Sequence, residues 1–140
     1  MDIIQLNQDL ITLILKRNEL SRLDYNNPEY DDVEEELHDM EDAFGERYGE
    51  YLEEALSAVH DEICPDNDVL LPIAYLAKQY AIQQDEETGK QLFIPPMDDG
   101  VIVDVDTYEN KLTRLVIVPN PVRIILQVDN EHQEELWRAG

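Results

Sequence analysis

Residues 100–128 read GVIVDVDTYENKLTRLVIVPNPVRIILQV. Apolar side chains recur there at every second position in three runs, Val101–Asp106, Leu112–Pro119 and Val122–Val128, and each run is rich in β-branched residues. A period of two puts successive side chains on opposite faces of a strand, and the links around Thr107–Lys111 and Pro119-Asn120-Pro121 are too short for a crossover. The stretch therefore predicts three consecutive antiparallel strands. A turn centred near Glu109 sets Asp104 opposite Arg114 and Ile102 opposite Val116. That register gathers Val101, Val103, Val105, Leu115 and Ile117 on one face, and Ile102, Val116, Ile124, Leu126 and Val128 on the other. Both faces are apolar, so the sheet needs cover on both sides, by helices on one and by other protein on the second.

The period changes toward the N-terminus. From Ile3 to Leu23, Ile3, Leu6, Leu10, Leu13 and Leu20 recur at helical spacing, and Ile4, Ile11, Ile14 and Leu15 widen the stripe beyond half the circumference. The polar strip, Gln5, Asp9, Thr12, Lys16 and Glu19, is narrow. Asp24-Tyr25-Asn26-Asn27-Pro28 collects turn formers, with Asn27 as an N-cap and Pro28 in the first helical position. A second helical stripe then runs through Tyr30, Val33, Leu37, Met40, Phe44, Tyr48, Tyr51 or Leu52, Ala55, Val59 and Ile63 to Cys64-Pro65. The two segments predict an antiparallel helical hairpin over residues 1–64.

A straight helix from Glu29 to Cys64 would be about 54 Å long at 1.5 Å per residue, whereas a domain of this size is roughly 35–40 Å across. The helix must bend, break, or project and be covered by a second copy. Gly45 and Gly49, one turn apart, mark the place for a bend or for a close helix crossing.

Between the hairpin and the strands, VLLPIAYLAKQYAIQ predicts a short helix around Pro72–Gln79. The alternative pairs Gln79–Gln83 with Lys90–Ile94 as strands across Asp85-Glu86-Glu87-Thr88-Gly89. The tail from Asp129 to Trp137 reads as a short capped helix. The fold class is α+β in one domain, residues 1–140: a helical hairpin packed on an antiparallel meander of three to five strands, with a short C-terminal helix.

Charge narrows function more than any motif. The chain carries 33 acidic and 10 basic residues, a net charge of −23. Seventeen of the acids fall between Glu29 and Asp68, against Arg47 as the single base. Such a surface repels phosphates and anionic lipid heads, because binding either requires Lys and Arg to displace counterions. Nucleic acid and membranes are therefore not expected partners. The lone Cys64 precludes an internal disulfide and a multi-thiolate zinc site. With no basic leader before the interrupted apolar stretch of MDIIQLNQDLITLILKR, a reducing cytoplasm is the expected location.

Chemistry-bearing motifs are sparse. Glu35 and His38 form Glu-x-x-His, the spacing by which a helix offers two ligands to one metal, but a di-metal bundle needs a second such pair. The other acidic-x-x-His, Asp129 with His132, lies in the tail. His60 and Cys64 stand four apart at a helix C-terminus, the wrong end to activate a thiolate. Asp104-x-Asp106-x-Tyr108-x-Asn110 lacks the central Gly and final Glu of a calcium loop. No phosphate-cradling glycine loop or Gly-x-Ser-x-Gly elbow occurs, so no cofactor is implied.

Two functions from different classes remain. One is a non-enzymatic interaction or accessory protein, homodimeric or bound to a basic protein through its acidic helix. The other is a small-molecule binder or metal-dependent enzyme with a pocket between sheet and helices, using Glu35, His38 and His60.

Overall fold

The computed structural model describes all residues, Met1–Gly140. Two helices lead the chain, α1 (Ile3–Ser21) and α2 (Tyr30–Ile63). A 3-10 turn (Pro72–Tyr75) and a two-stranded hairpin, β1 (Ala81–Gln84) and β2 (Gln91–Ile94), follow. A four-stranded antiparallel sheet closes the chain in the order β3 (Val101–Val103), β4 (Thr113–Val118), β5 (Arg123–Val128) and β6 (His132–Arg138). The α+β class and the helical hairpin stand as expected.

Asp2 caps α1 by accepting the Gln5 amide at 3.0 Å, filling one of the donors a helix start leaves orphaned. Leu6, Leu10, Leu13 and Ile14 make its buried face. The polar strip, with Thr12 and Glu19 exposed, runs along the edge of α1 next to α2. Lys16 reaches Glu36 at 2.7 Å, and Asp9 meets Arg47 and Tyr48, so the strip forms a seam with α2. Ile4 and Leu15 are left on the outer side, exposed.

α2 begins two residues after Pro28. Asn27 accepts the Glu29 amide through its side chain at 2.9 Å and the Tyr30 amide through its main-chain carbonyl at 3.0 Å. The helix then runs unbroken for 34 residues, about 51 Å by helical rise. It does not project bare, because its buried residues continue from Val33 to His60. α1 covers the first part through Glu36, Glu41 and Arg47, while the 3-10 turn and β6 meet the later part. Within the chain no other element approaches the glycines: a Cβ built on Gly45 or Gly49 meets nothing within 4 Å.

Between helices and sheet, the strand alternative holds for the hairpin, with Ala81 opposite Ile94 and Gln84 opposite Gln91. Only one 3-10 turn of the expected helix forms, because Leu76 is already extended. Asp85 organises the hairpin turn, accepting the Glu87 amide and the Thr88 hydroxyl, and Gly89 adopts a φ of 73°.

Four expectations about the main sheet are corrected. Ile102, not Asp104, lies opposite Arg114, and Val101 pairs with Leu115, a shift of two residues. The link holds a 3-10 turn at Asp106–Tyr108 followed by a further turn closed by the Lys111 amide on Tyr108 O, so it consumes Asp104 and Val105. The β4–β5 link spans residues 119–122, with Asn120 at a φ of 67°, so Leu115 faces Leu126 and Ile117 faces Ile124. Ile124, Leu126 and Val128 therefore share a face with Leu115 and Ile117 rather than with Val116.

The tail, in the third correction, is strand β6 and not a helix. Asp129, at a φ of 49°, turns the chain back so that His132 meets Val128, and the open edge of β5 supplies hydrogen-bond partners that an isolated short helix lacks.

The sheet's two apolar faces are both covered within the chain. Trp137, opposite Ile124, meets Tyr51 of α2 edge-on, with ring centroids 5.8 Å apart, which places that face toward the helices. On the other face Gln127 donates to Pro96 O and Arg114 to Met97 O, so residues 96–97 cross over it, and Val116, Val118 and Ile125 are buried. The expectation that other protein covers this second face is thereby corrected for β4 and β5. No helix is long and apolar enough to cross a membrane.

Candidate functional site

Glu35 and His38 both lie exposed on the outer side of α2, and no cluster of three His, Cys, Asp or Glu side chains anywhere in the chain is arranged to hold a metal. Asp104, Asp106 and Asn110 are exposed in the β3–β4 link, with Tyr108 half-buried. Tyr108 donates to Glu134 at 2.9 Å across to β6 and lies 3.3 Å from His132 Nε2, a surface grouping that local spacing does not reveal.

His60 and Cys64 are both buried, but they do not act on one another. His60 Nδ1 lies 3.0 Å from the Asn67 carbonyl oxygen, which only accepts, so Nδ1 carries the proton. Nε2 is then the acceptor for the Tyr75 hydroxyl at 2.9 Å, and the Tyr75 oxygen in turn accepts the Leu70 amide at 3.0 Å. Burial pushes the Tyr75 phenol up, which keeps it a donor. Burial also raises the Cys64 thiol, and the Asp104 charge adds to the effect. Cys64 is a packed, unreactive thiol, and His60 is a structural link between α2 and the loop after it.

Two other buried knots fix the scaffold. Asn18 donates to Tyr80 O at 3.0 Å and accepts the Tyr80 amide at 2.8 Å, while the Tyr80 hydroxyl donates to Ile117 O at 2.6 Å. Arg17 reaches Ala77 O at 3.1 Å and Glu41 at 3.4 Å, joining both helices to the 73–77 segment.

A hollow of about 530 Å³ with a largely apolar wall lies between α1 and α2 rather than between sheet and helices. Leu13, Met40 and Phe44 line it, with Asp9, Arg47 and Tyr48 at its polar side. Burial pushes the Asp9 carboxyl up, but hydrogen bonds from Tyr48 and Gln5 and the Arg47 charge outweigh this and leave it below the usual aspartate range. Glu35, His38 and His60 do not line this hollow.

The acidic face of α2 is the most distinctive surface. Of the seventeen acids between Glu29 and Asp68, only Glu36 and Glu41 come within ion-pairing distance of a base. The rest include runs one turn apart, Asp31 with Glu35 and Asp39, and Asp42 with Glu46, Glu50 and Glu54. Like charges at that spacing destabilise a helix by about 0.2–0.5 kcal/mol per pair. Asp61 and Glu62 add negative charge at the end where the helix dipole is already negative. Compared with known protein families, with curated proteins and with solved structures, the chain finds no match.

Proposed function

We propose that this protein is a non-enzymatic interaction protein that engages a basic protein partner through the acidic face of α2. The observation that carries the reading is the unpaired state of those carboxylates: the helix bears repulsion along its length and at its C-terminus without compensating contacts inside the fold. A departure from local helix rules with no return in stability is characteristic of surfaces kept for function. Dense negative charge steers a cationic partner and raises its association rate. The rival reading, a small-molecule or metal enzyme, draws no support from the α1–α2 hollow, which Glu35, His38 and His60 do not line.

The test is the association rate with polylysine as salt is raised. Charge-steered binding slows about tenfold or more between roughly 20 and 300 mM salt. A rate indifferent to salt, or no binding at the lowest salt, contradicts the reading.

Self-association, as a homodimer, belongs to the same reading, and α1 is the surface that favours it. Met1–Leu23 holds three acids, Asp2, Asp9 and Glu19, against three bases, Lys16, Arg17 and Arg22, in a chain that is otherwise strongly negative. Ile4 and Leu15 are exposed on its outer side, with Ile11 half-buried between them. A second copy meets no net charge there. Light scattering over a concentration series should give a dimer that Ile4→Glu with Leu15→Glu dissociates; a monomer at every concentration contradicts it.

A further inference from the structure

The loop that follows α2 presents three consecutive apolar side chains to solvent: Val69 is 37% exposed, Leu70 45% and Leu71 63%. Such a run normally sits on a mobile segment or is turned inward. Here the loop is held in place. The Asn67 carbonyl accepts His60 Nδ1–H, its amide donates to Cys64 O at 3.1 Å, and its side-chain oxygen accepts the Asp104 amide at 2.8 Å. Three residues on, the Leu70 amide is fixed on the Tyr75 hydroxyl. A polar network anchored on the buried His60 and Tyr75 thus positions a loop whose apolar side chains make no use of it.

The same side chains wall a hollow of about 460 Å³ whose other wall is Glu53 and Ser57 of α2. Glu50, Glu54 and Asp61 of α2 line the adjoining hollow that shares Glu53 and Ser57 with it, and Asp66 and Asp68 lead the loop into Val69; none of the five is paired with a base. The patch is apolar at its centre and negative at its rim. The negative rim repels a second copy of this chain, whose net charge is −23 and whose neutral α1 is the face assigned to the dimer, and it repels an anionic lipid surface.

We propose that the pinned loop and the last turns of α2 form one docking site for a short basic segment of a partner protein that carries apolar side chains along one face. This rests on the reading of α2 as a surface for a basic partner, and it adds the element that selects among basic partners. Charge brings the segment in, and the groove beside Val69–Leu71 takes its apolar side chains. Holding the loop beforehand removes the ordering cost that a mobile loop would bring to binding.

Two peptides of equal positive charge and about 12 residues decide it, one Lys/Leu with its Leu at helical spacing and one Lys/Ser, titrated by fluorescence. Burial of two or three leucines gives the Lys/Leu peptide about tenfold or greater advantage in Kd. The double substitution Leu70→Ser with Leu71→Ser, at exposed positions and with the fold checked by circular dichroism, should erase that advantage and leave Lys/Ser binding unchanged. Equal binding of the two peptides to the unmodified protein, or an advantage that survives the double substitution, overturns the docking site alone. Failure of both peptides at low salt overturns the acidic-face reading beneath it as well.

Discussion

Tyr75 Oη lies 2.9 Å from His60 Nε2, and the two rings meet edge-on at 88°. Removing the hydroxyl by Tyr75→Phe leaves both His60 Nε2 and the Leu70 amide without their partner. The orphaned His60 nitrogen, being buried, costs about 1–3 kcal/mol, and the part-buried Leu70 amide adds less. The variant should show a lower urea midpoint and faster hydrogen exchange at Leu70. An unchanged midpoint with an unchanged Leu70 amide would mean that the network does not hold the loop.

The α2 glycines are expected to be improvable. With open space above both, Gly45→Ala and Gly49→Ala relieve the backbone entropy that glycine brings to a helix, and each should stabilise by about 0.5–1 kcal/mol. Gly100→Ala goes the other way, because its φ is 109° and the added Cβ would stand 2.7 Å from Leu115 O. Urea midpoints of the three variants check the contrast. Destabilisation by either α2 substitution would indicate that a neighbouring chain approaches the helix there.

Added salt should raise thermal stability. The repelling pairs on α2, such as Asp32 with Glu36 and Glu46 with Glu50, are exposed and therefore screened, and they outnumber the ion pairs that screening weakens. Melting followed by circular dichroism from about 20 to 500 mM sodium chloride should shift upward by a few degrees. A fall would mean that the ion pairs, Lys16 with Glu36 among them, outweigh the repulsion.

Asp9 adds an acid-sensitive contribution. Its folded-state pKa lies below the ordinary aspartate value, so the stability it contributes is complete above about pH 4 and drains as pH falls through the folded value. Asp9→Asn should lower the urea midpoint at pH 7, with the gap to the unmodified protein narrowing toward pH 3. A gap independent of pH would show that the carboxylate charge is not what Tyr48, Gln5 and Arg47 hold.

The elements legible in the sequence are those whose burial follows one period. Leu6, Leu10 and Leu13 announce α1, Val33 through Val59 announce α2, and the alternation of Leu115–Val118 and Ile124–Val128 announces the central strands. β6 is hidden because His132–Trp137 is mostly polar, and Asp129-Asn130 serves equally as a cap or a turn; the open edge of β5, distant in sequence, decides between them. The β3–β4 register is hidden by a 3-10 turn that no apolar repeat marks. For the site, the charge of α2 is plain in the sequence. His60 invites comparison with Cys64 four residues on, yet its partners are Asn67 and Tyr75, a pairing made by the return of the loop.

The acidic face of α2 acts through where its charge sits and not merely through the total. Two triple substitutions remove the same charge at different sites: Glu50→Gln, Glu53→Gln and Glu54→Gln on α2, and Asp85→Asn, Glu86→Gln and Glu87→Gln at the β1–β2 turn. Calorimetric titration of both with the Lys/Leu peptide at fixed salt is the most direct measurement. The α2 variant should lose about tenfold or more in affinity, as removal of steering and contact charges at a docking face requires, while the hairpin variant keeps the affinity of the unmodified protein. Equal losses in the two variants would contradict the claim.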